Sequence, residues 1–550
     1  MPPLIASLLR PEAYAHPVVS IRLIETHLSW VLLTGSTAYK IKKPLNLGFV
    51  DFSTLELRHR ACLEELRLNR RLAPALYRDV VPIHGPCEHA RLYGDGPVIE
   101  WAVRMQEFPE QALLSDALER GAVEPQAFAL LAERLARFHA EAAVAPPGSS
   151  WGTVAQVGEP ALANLTVLEA CPAAAAAAAV PRLRRWSEQT LAQLAPLLER
   201  RRQAGRIREC HGDLHLGNMA LLEGVITVFD ALEFSPALRW IDVISDLAFL
   251  VMDLERRRRP ELAARVLNRW LECSGDYAGM ALWRWYVTYR ALVRAKVTAL
   301  RLAQQGADPA SGSSGDRSAL ERDLRDYLQL AVERGVAPRS PTLVITHGLS
   351  GSGKTHLAAD LCRRLGWIHL RSDLERKRCF GLPLDRPSPV PVPGLYDPAT
   401  TRTLYEQTLP DAARAVLAAG WSLIVDATFL LREQRQCMAQ VARQLGCRFV
   451  ILSFPADPGQ ARVRIDQRRA AGDDPSDADA SVLAHQQTIG QPPQLAEADR
   501  LLSAPLWDAR SAGASGGSPA GPGRDRNPEP GDDADVALAA LIAELAPQNQ

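Results

Sequence analysis

Residues 348–355 read GLSGSGKT, and this stretch decides the fold of the second half of the chain. It matches the pattern GxxxxGK[ST] in full, follows the apolar segment TLVITH and leads into the helix-like segment HLAADLCRRL. A strand, a glycine-rich turn and a helix in this order direct backbone N–H groups and a helix N-terminus towards phosphate groups. We expect the Lys354 ammonium to reach the β- and γ-phosphates of ATP and the Thr355 hydroxyl to bind Mg²⁺. The other predicted ATP contacts are Gly348, Ser350, Gly351, Ser352 and Gly353.

After this loop the sequence alternates between strand-like and helix-like segments, which predicts an α/β domain with a parallel sheet. Asp373 follows the second predicted strand. Asp426 ends the apolar segment WSLIVD, where an acid is expected to hold the shell of the Mg²⁺ ion. Arg464 and Arg468 lie one helical turn apart in the segment ARVRIDQRR.

These features resemble the small P-loop kinases of the polynucleotide kinase and zeta toxin type. The resemblance implies that Asp373 activates the acceptor hydroxyl, and that Arg464 and Arg468 belong to a lid that clamps the transferred phosphate. It covers roughly residues 342–490 and is close only at the phosphate-binding loop. Two simpler interpretations stay open: Asp373 as a helix N-cap, and the two arginines as part of a solvated helix face.

Residues 210–218 read CHGDLHLGN and carry the strongest signal of the first half. Asp213 and Asn218 are five residues apart, which is the spacing of acid and amide in the catalytic loop of protein kinases. In that loop the acid orients and deprotonates the attacking hydroxyl, and the amide binds Mg²⁺. A predicted hairpin then leads to Asp230, seventeen residues beyond Asp213, where a second metal-binding acid is expected.

Together with the segments FDALEF and IDVISDLAF, this loop resembles the aminoglycoside phosphotransferase and choline kinase-like family. The resemblance implies phosphorylation of small-molecule hydroxyls, with Asp213 as the catalytic base and Asn218 and Asp230 as metal ligands. Glu233 is a weaker candidate for the metal. The acids expected to brace the catalytic loop are Asp242 and Asp246.

The strand-like segment TAYKIKKP holds three of the six lysines in a chain that has 57 arginines. A kinase-like lobe binds the phosphates of ATP with a lysine on a strand, paired with an acid on a helix. Alignment to the V-A-I-K pattern favours Lys42, and strand alternation places Lys40 on the same face as the alternative. Glu65 is the expected partner, with Glu64 second. No GxGxxG loop is present, so the other nucleotide contacts of this half stay open.

These observations predict a two-domain protein. Residues 1–336 are predicted to form an α+β, bilobal protein-kinase-like fold, and residues 341–506 an α/β P-loop NTPase domain with a parallel sheet. Residues 510–550 begin rich in Gly, Pro and Asp, which predicts a disordered tail with a short terminal helix. The whole resembles a bacterial fusion of an aminoglycoside phosphotransferase-like domain with an AAA-type P-loop domain.

The composition excludes several other classes of protein. The 63 Lys and Arg residues balance 63 Asp and Glu residues, which argues against a protein that coats nucleic acid or a membrane surface. No uncharged apolar stretch of about 18 residues occurs, so no membrane partner is predicted. Nine dispersed cysteines without a CxxC pair, and a start unlike a secretory leader, predict a cytoplasmic protein without a zinc site.

The predicted function is ATP- and Mg²⁺-dependent transfer of a γ-phosphoryl group to a hydroxyl of a small molecule or nucleotide. Two alternatives stay open. The first is a regulatory nucleotide-binding protein or ATPase with a non-catalytic kinase-like domain, although a degenerate domain is expected to lose Asp213, Asn218 or Asp230. The second is a kinase for 5′-hydroxyl ends of nucleic acid, a partner that the sequence allows but does not indicate.

Overall fold

The structure, a computed structural model of the chain, forms two compact units. Met1–Arg257 and Trp285–Val336 form the first unit, and Arg258–Arg284 and Ala337–Gln550 form the second. The sequence-based domain ranges stay predictions, and most of the predicted disordered tail lies outside the described residues. The described residues are 1–48, 50–307, 314–384, 386, 392–455, 457–471, 476–504 and 532–546.

The first unit begins with a small lobe built on a six-stranded antiparallel sheet. Its strand order is β1-β2-β3-β6-β4-β5, so β3 lies between β2 and β6. Two helices accompany the sheet, α1 (Pro3–Leu8) and α2 (Leu55–Asn69). The strands are β1 (Arg22–Glu25), β2 (Ser29–Leu33), β3 (Thr37–Lys42), β4 (Tyr77–His84), β5 (Arg91–Leu92) and β6 (Val98–Gln106).

Strand alternation separates an apolar face of β3 from a charged one. Tyr39 and Ile41 are buried in an apolar cluster that includes residues of α1. Lys40 and Lys42 point to the opposite face and form ion pairs with Glu65 of α2. The Oγ1 atom of Thr54 caps the start of α2 by accepting a hydrogen bond from a backbone N–H. The sheet and the capped helix therefore bring the two lysines and their acid together.

The large lobe of the first unit is mainly helical. Two short antiparallel pairs, β7 with β10 and β8 with β9, flank the segment that carries Asp213. These strands are β7 (Ile207–Glu209), β8 (Met219–Leu222), β9 (Val225–Val228) and β10 (Trp240–Asp242). The helices are α3 (Leu114–Glu119), α4 (Pro125–Glu141), α5 (Val154–Glu169), α6 (Ala174–Gln203), α7 (Pro236–Arg239), α8 (Val243–Arg256), α10 (Met280–Ala307) and α11 (Ser314–Ala331). Helix α9 (Pro260–Ser274) and the start of α10 belong to the second unit.

The second unit is built on a five-stranded parallel sheet with the order β12-β13-β11-β14-β15. The strands are β11 (Thr342–His347), β12 (Ile368–Arg371), β13 (Leu423–Asp426), β14 (Arg448–Ser453) and β15 (Arg500–Ser503). The helices after β11 are α12 (Lys354–Leu365), α13 (Ser372–Cys379), α14 (Pro398–Thr403), α15 (Leu409–Ala418), α16 (Arg432–Leu445), α17 (Pro458–Ala471), α18 (Ala480–Ile489) and α19 (Asp532–Leu545). The predicted α+β kinase-like and parallel α/β P-loop architectures are both confirmed.

Helix α9 covers the free edge of this sheet, which β12 forms. The Asn268 side chain donates to the carbonyl of Trp367 at 2.9 Å and accepts from the N–H of His369 at 2.8 Å. It thereby replaces the hydrogen bonds that a neighbouring strand would make at an edge. The Tyr277 hydroxyl, a few residues later, donates to the carbonyl of His369 at 3.2 Å. A segment from the middle of the chain is thus part of the second unit.

Asn268→Ala is expected to loosen this edge. The Trp367 carbonyl and His369 N–H lose their partner, which costs about 1–3 kcal/mol for each partly buried polar group left unsatisfied. Hydrogen exchange should accelerate at the His369 amide, while exchange in β15, at the other edge of the sheet, stays at its wild-type rate. An unchanged exchange rate at His369 would show that α9 does not protect β12.

Candidate active sites

The segment 210–218 joins β7 to β8 as an anchored loop. Gly212 adopts φ +88°, and a Cβ atom there would lie 2.8 Å from the Leu238 carbonyl oxygen, so this position requires glycine. The Asp246 carboxylate accepts hydrogen bonds from the backbone N–H groups of His211 at 3.0 Å and Gly212 at 2.9 Å. Burial opposes ionisation of Asp246, but a hydrogen bond from His139 lowers the pKa of this carboxyl to about 2. A buried carboxylate therefore fixes the loop.

Asp213 follows directly after these anchored residues. Its carboxylate accepts a hydrogen bond from Asn218 Nδ2 at 2.9 Å and lies 3.3 Å from His215 Nε2. Burial alone would raise the pKa of Asp213, but the imidazole of His215 holds it below the usual range of an aspartate. The Asp213 carboxylate is therefore ionised at neutral pH and is available as a proton acceptor.

Two lysines and three acids form a compact charged cluster beside this loop. Lys40 Nζ lies 2.8 Å from Glu65 Oε1 and 2.5 Å from Asp230 Oδ1. Lys42 Nζ lies 2.5 Å from Glu65 Oε2 and also pairs with Glu233. Burial alone would raise the pKa of Glu65, but the two ammonium groups lower it to about 2. Glu65 therefore bridges both lysines as a carboxylate.

The two lysines differ in their access to solvent and in their second partner. The Lys40 side chain is 13% exposed and contacts Asp230, whereas Lys42 is 1% exposed and is enclosed by Glu65 and Glu233. An ammonium that binds an ATP phosphate has to be reachable, so this geometry favours Lys40, the alternative of the sequence-based alignment. Glu64 is not part of the cluster, since it pairs with Arg67 and Arg239.

The sequence analysis named Glu233 as a weaker candidate for the metal and did not predict its contact with Lys42. Its carboxylate is buried against Lys42, 191 residues away along the chain. Asp230 differs from it, because its side chain is 40% exposed and its backbone adopts φ +62°. The amide of Asn218 and the carboxylate of Asp230 supply hard oxygen donors of the type that Mg²⁺ prefers. The donor set therefore fits the predicted metal.

Lys40→Met and Lys42→Met are expected to have different effects. Lys42→Met leaves the buried Glu233 carboxylate without its counter-charge and Glu65 with Lys40 alone, and it should lower the free energy of unfolding by about 3–5 kcal/mol. Lys40→Met should keep the fold but weaken ATP binding by about 10- to 100-fold, because a charge-assisted hydrogen bond to phosphate is lost. Both variants are made in a Lys354→Ala background. Thermal unfolding measures the loss of stability, and binding of a fluorescent ATP analogue measures the loss of affinity. The opposite pattern would make Lys42 the phosphate ligand.

In the second unit, residues 348–353 connect β11 to α12, which begins with Lys354 and Thr355. Gly351 adopts φ +80°, and a Cβ atom there would lie 2.5 Å from the Ala461 carbonyl oxygen, so α17 leaves no room for a side chain. Lys354 Nζ donates to the Leu349 carbonyl at 2.6 Å, which holds the ammonium at the loop. The glycines and the helix start therefore have the arrangement that phosphate binding requires.

Helix α18 contacts the same loop through Gln486. The Ser350 N–H donates to Gln486 Oε1 at 2.9 Å, and Gln486 Nε2 lies 3.0 Å from the Ser350 hydroxyl oxygen. Arg464 of α17 donates to the Gly351 carbonyl at 3.4 Å. The side chain of Arg468 lies outside the described residues. Of the two predicted lid arginines, the structure thus brings Arg464 to the phosphate-binding loop.

Asp426 ends β13, next to β11, and its carboxylate is buried. His369 Nε2 lies 3.5 Å from Asp426 Oδ2, and His369 Nδ1 lies 3.6 Å from Glu272 Oε1 on α9. Burial would raise the pKa of Asp426, but its interaction with His369 lowers it. Thr355 and Asp426 both border one cavity and offer oxygen donors that suit Mg²⁺. Sequence reasoning missed His369 and Glu272, because no motif connects them to the loop.

A cavity of about 860 Å³ joins these residues to Asp373. Helix α13 starts at Ser372, and Arg371 holds the N-cap position, so Asp373 lies within the first turn and is not the cap. Further cavity-lining residues are Lys354, Thr355, Arg376, Tyr396, Arg402, Tyr405, Asp426 and Arg464. The phosphate-binding loop and an acid with access to an acceptor therefore share one cavity.

Comparison with known proteins identifies a family for each of the two units. Residues 343–493 match the family model described as AAA domain, and residues 49–283 match the Phosphotransferase enzyme family. The uncharacterized protein Rv2004c of Mycobacterium tuberculosis is 30% identical over 479 residues, or 86% of this chain and 92% of the relative. Choline kinase from Cryptosporidium parvum is 11% identical, covers 57% of this chain and 89% of its own, and gives a TM-score of 0.33. The Mycobacterium tuberculosis APS kinase CysC is 20% identical, covers 38% and 99%, and gives a TM-score of 0.25.

A kinase-like unit followed by a P-loop unit defines the class: the protein is an ATP-dependent phosphotransferase with two domains. The chain belongs to the family of Rv2004c. In this chain the match to the Phosphotransferase enzyme family precedes the match to the AAA domain. The predicted fusion and the predicted enzyme class are confirmed. Within the described residues, no helix combines the length and apolar character needed to cross a membrane.

Proposed function

We propose that the chain contains two separate phosphotransferase centres, each of which moves the γ-phosphoryl group of ATP to a hydroxyl of a small molecule or nucleotide. The observation that supports the proposal is that each unit holds both a lysine of a predicted phosphate site and an aspartate that is not fully buried. Lys40 and Asp213 belong to the first unit, and Lys354 and Asp373 to the second. Mg²⁺, when bound, would neutralise the negative charge of the phosphates.

In the first centre, Asp213 accepts the proton of the acceptor hydroxyl. The hydroxyl oxygen forms a bond to the γ-phosphorus while the bond from that phosphorus to the bridging oxygen breaks, and ADP leaves with that oxygen. Asn218 orients the carboxylate of Asp213 through the hydrogen bond from its Nδ2 atom, and Asn218 and Asp230 are the residues that would hold Mg²⁺. Asp246 acts through the backbone of the loop and is a positioning residue.

In the second centre, Asp373 is the proton acceptor, and the same bonds form and break. Lys354 and the N–H groups of the glycine-rich loop hold the phosphates, while Arg464 supplies positive charge from α17. Thr355 and Asp426 are the residues that would hold the metal. His369 positions Asp426, and Glu272 lies at the other ring nitrogen of His369.

The proposal is tested with ATP labelled on the γ-phosphate and a pool of hydroxyl-containing metabolites. Four proteins are compared: the wild type, Asp213→Asn, Lys354→Ala and the double variant. We expect each single variant to lose a different labelled product and the double variant to lose both. If the wild type only hydrolyses ATP, with equal rates in all four proteins, both assigned centres are wrong and a regulatory nucleotide-binding role replaces them.

A further inference from the structure

A cavity of about 550 Å³ lies in the first unit beside helices α10 and α11. His27, in the turn between β1 and β2, borders it together with Arg301 of α10 and Asp323 of α11. Gln305 borders it as well, and the Gln305 Oε1 atom is buried without a hydrogen-bond partner. Small-molecule sites are cavities of this size in which a few polar groups orient the ligand. The cavity therefore has the dimensions and the polar groups of a ligand site.

Helix α10 leads from the catalytic loop to this cavity. Arg290 Nη1 donates to the Gly212 carbonyl at 3.1 Å, which attaches the helix to the residue before Asp213. Arg294 follows one helical turn later, and Arg301 lies seven residues beyond Arg294, or about 10 Å along the helix axis. These spacings place the three arginines on one side of the helix. Arg294 is therefore positioned between the catalytic loop and the cavity.

The guanidinium of Arg294 is partly buried and has no carboxylate partner. Its Nε atom lies 3.5 Å from the hydroxyl oxygen of Tyr327 on α11, and its carbon atom lies 5.9 Å from the centre of that ring. Within the part of the chain that the structure describes, no Asp or Glu pairs with it, and its two Nη atoms make no hydrogen bond. Burial alone would lower the pKa of this guanidinium, but Tyr327 and the carboxylates of Asp253 and Asp213 raise it. Arg294 thus offers free donors close to the proposed base.

A second arginine at the same ring is neutralised, which makes the difference clear. The guanidinium carbon of Arg256 lies 5.2 Å from the centre of the Tyr327 ring, and Arg256 pairs with Asp323 and, at 3.4 Å, with Asp326. Asp323 is therefore already paired where it borders the cavity. Arg301 is exposed and has no ion-pair partner among the described residues. A partly buried guanidinium is stabilised by an anion through charge-assisted hydrogen bonds, so the surplus of positive charge indicates a negatively charged ligand.

We propose that this cavity is the acceptor subsite of the first unit, and that Arg294 and Arg301 bind a carboxylate or a phosphate of the hydroxyl compound that this unit phosphorylates. Guanidinium groups bind both anions with paired N–H donors. The inference rests on the proposed function of the first centre, and it adds the chemical class of the acceptor. The reacting hydroxyl loses its proton to Asp213, its oxygen bonds to the γ-phosphorus, and ADP leaves.

The test of the acceptor class uses Lys354→Ala protein, so that only the first centre transfers phosphate. A deproteinised small-molecule extract is divided by anion exchange into a retained, anionic fraction and an unretained fraction. Each fraction is incubated with ATP labelled on the γ-phosphate. We expect a labelled product from the retained fraction that the Asp213→Asn variant does not form. Treatment of that fraction with a phosphomonoesterase, removed before the assay, should destroy an acceptor bound through a phosphate and leave one bound through a carboxylate.

Substitution of the two arginines tests their role with the same acceptor. Arg294→Gln should raise the KM of the acceptor by about 10- to 100-fold with little change in kcat, and Arg294→Lys should restore part of the loss. Arg301→Gln, at an exposed position that does not endanger the fold, should raise the KM by about 3- to 5-fold. Arg317→Gln removes an exposed cation of α11 that pairs with Glu321, and it should leave the KM unchanged.

Thermal unfolding and the affinity for an ATP analogue should be the same in these variants and their parent. If Arg294→Gln does not fold, Arg301→Gln decides alone. A labelled product from the unretained fraction only, or an unchanged KM in both arginine variants, would overturn the anion subsite while the first centre stands. If neither fraction yields a product that depends on Asp213, the proposed centre is wrong, and the subsite with it.

Discussion

Replacing Asp213 with asparagine is expected to lower phosphoryl transfer by the first unit by about 10²- to 10⁴-fold, the usual contribution of a positioned general base. The amide cannot accept the proton of the acceptor hydroxyl, although it has nearly the same shape as the carboxylate. ATP binding should persist, because the role proposed for Asp213 is at the acceptor hydroxyl and not at the nucleotide. The measurement is labelled product formed from ATP in a Lys354→Ala background, where the second centre is inactive.

A matched control is Asp79→Asn. Asp79 is a half-exposed carboxylate of the same unit that pairs with Arg104 on the neighbouring strand. Its loss should leave transfer within a factor of about two, since exposed ion pairs contribute about 0–1 kcal/mol. Wild-type transfer by Asp213→Asn, with normal ATP affinity, would falsify the assignment of the base and leave the first unit as a nucleotide-binding module.

The sequence predicts best those parts of the sites that are contiguous in the chain. Asp213 and Asn218 lie in one loop, and their spacing alone indicates the contact that the structure has at 2.9 Å. The phosphate-binding loop is equally local, because strand, turn and helix follow one another. Glu65 was also expected, since strand alternation and the period of α2 place it opposite the lysines.

Prediction was weaker wherever partners are far apart along the chain. Alternation places Lys40 and Lys42 on one face, but only the fold reveals that Glu233 encloses Lys42 while Asp230 meets Lys40. Burial and the pairing of charges that lie far apart in the chain depend on the tertiary structure, which no local pattern encodes.

The sequence also did not predict which unit the segment Arg258–Arg284 belongs to. The match to the Phosphotransferase enzyme family includes it, yet it packs into the second unit, where Asn268 and Glu272 of α9 contact β12. Glu272 reaches Asp426 through His369, so this segment supports the P-loop site. A fragment that starts at residue 341 would lack these contacts. The second unit therefore depends on a segment that the sequence analysis assigned to the first domain.

Lys354→Ala is expected to lower ATP turnover by the second unit by about 10²- to 10³-fold. The loss of one preorganised hydrogen-bond donor to the charge that develops in the transition state has an effect of this size. The ammonium already lies in the loop, held by the Leu349 carbonyl at 2.6 Å, so little reorganisation is needed when phosphate binds. Alanine removes this charge but keeps the helical start of α12, because Ala has high helix propensity. Turnover is measured in the Asp213→Asn background.

The stoichiometry of nucleotide binding separates this effect from a general loss of structure. Equilibrium dialysis with a non-hydrolysable ATP analogue should give two sites per wild-type chain and one high-affinity site in Lys354→Ala. Arg414→Ala, which removes an exposed cation paired with Asp411 in the same unit, should keep both sites. A single site in the wild type that persists in Lys354→Ala would mean that the second unit does not bind ATP. Because Lys40 lies in the other unit, Lys40→Met should weaken binding at the site that Lys354→Ala keeps.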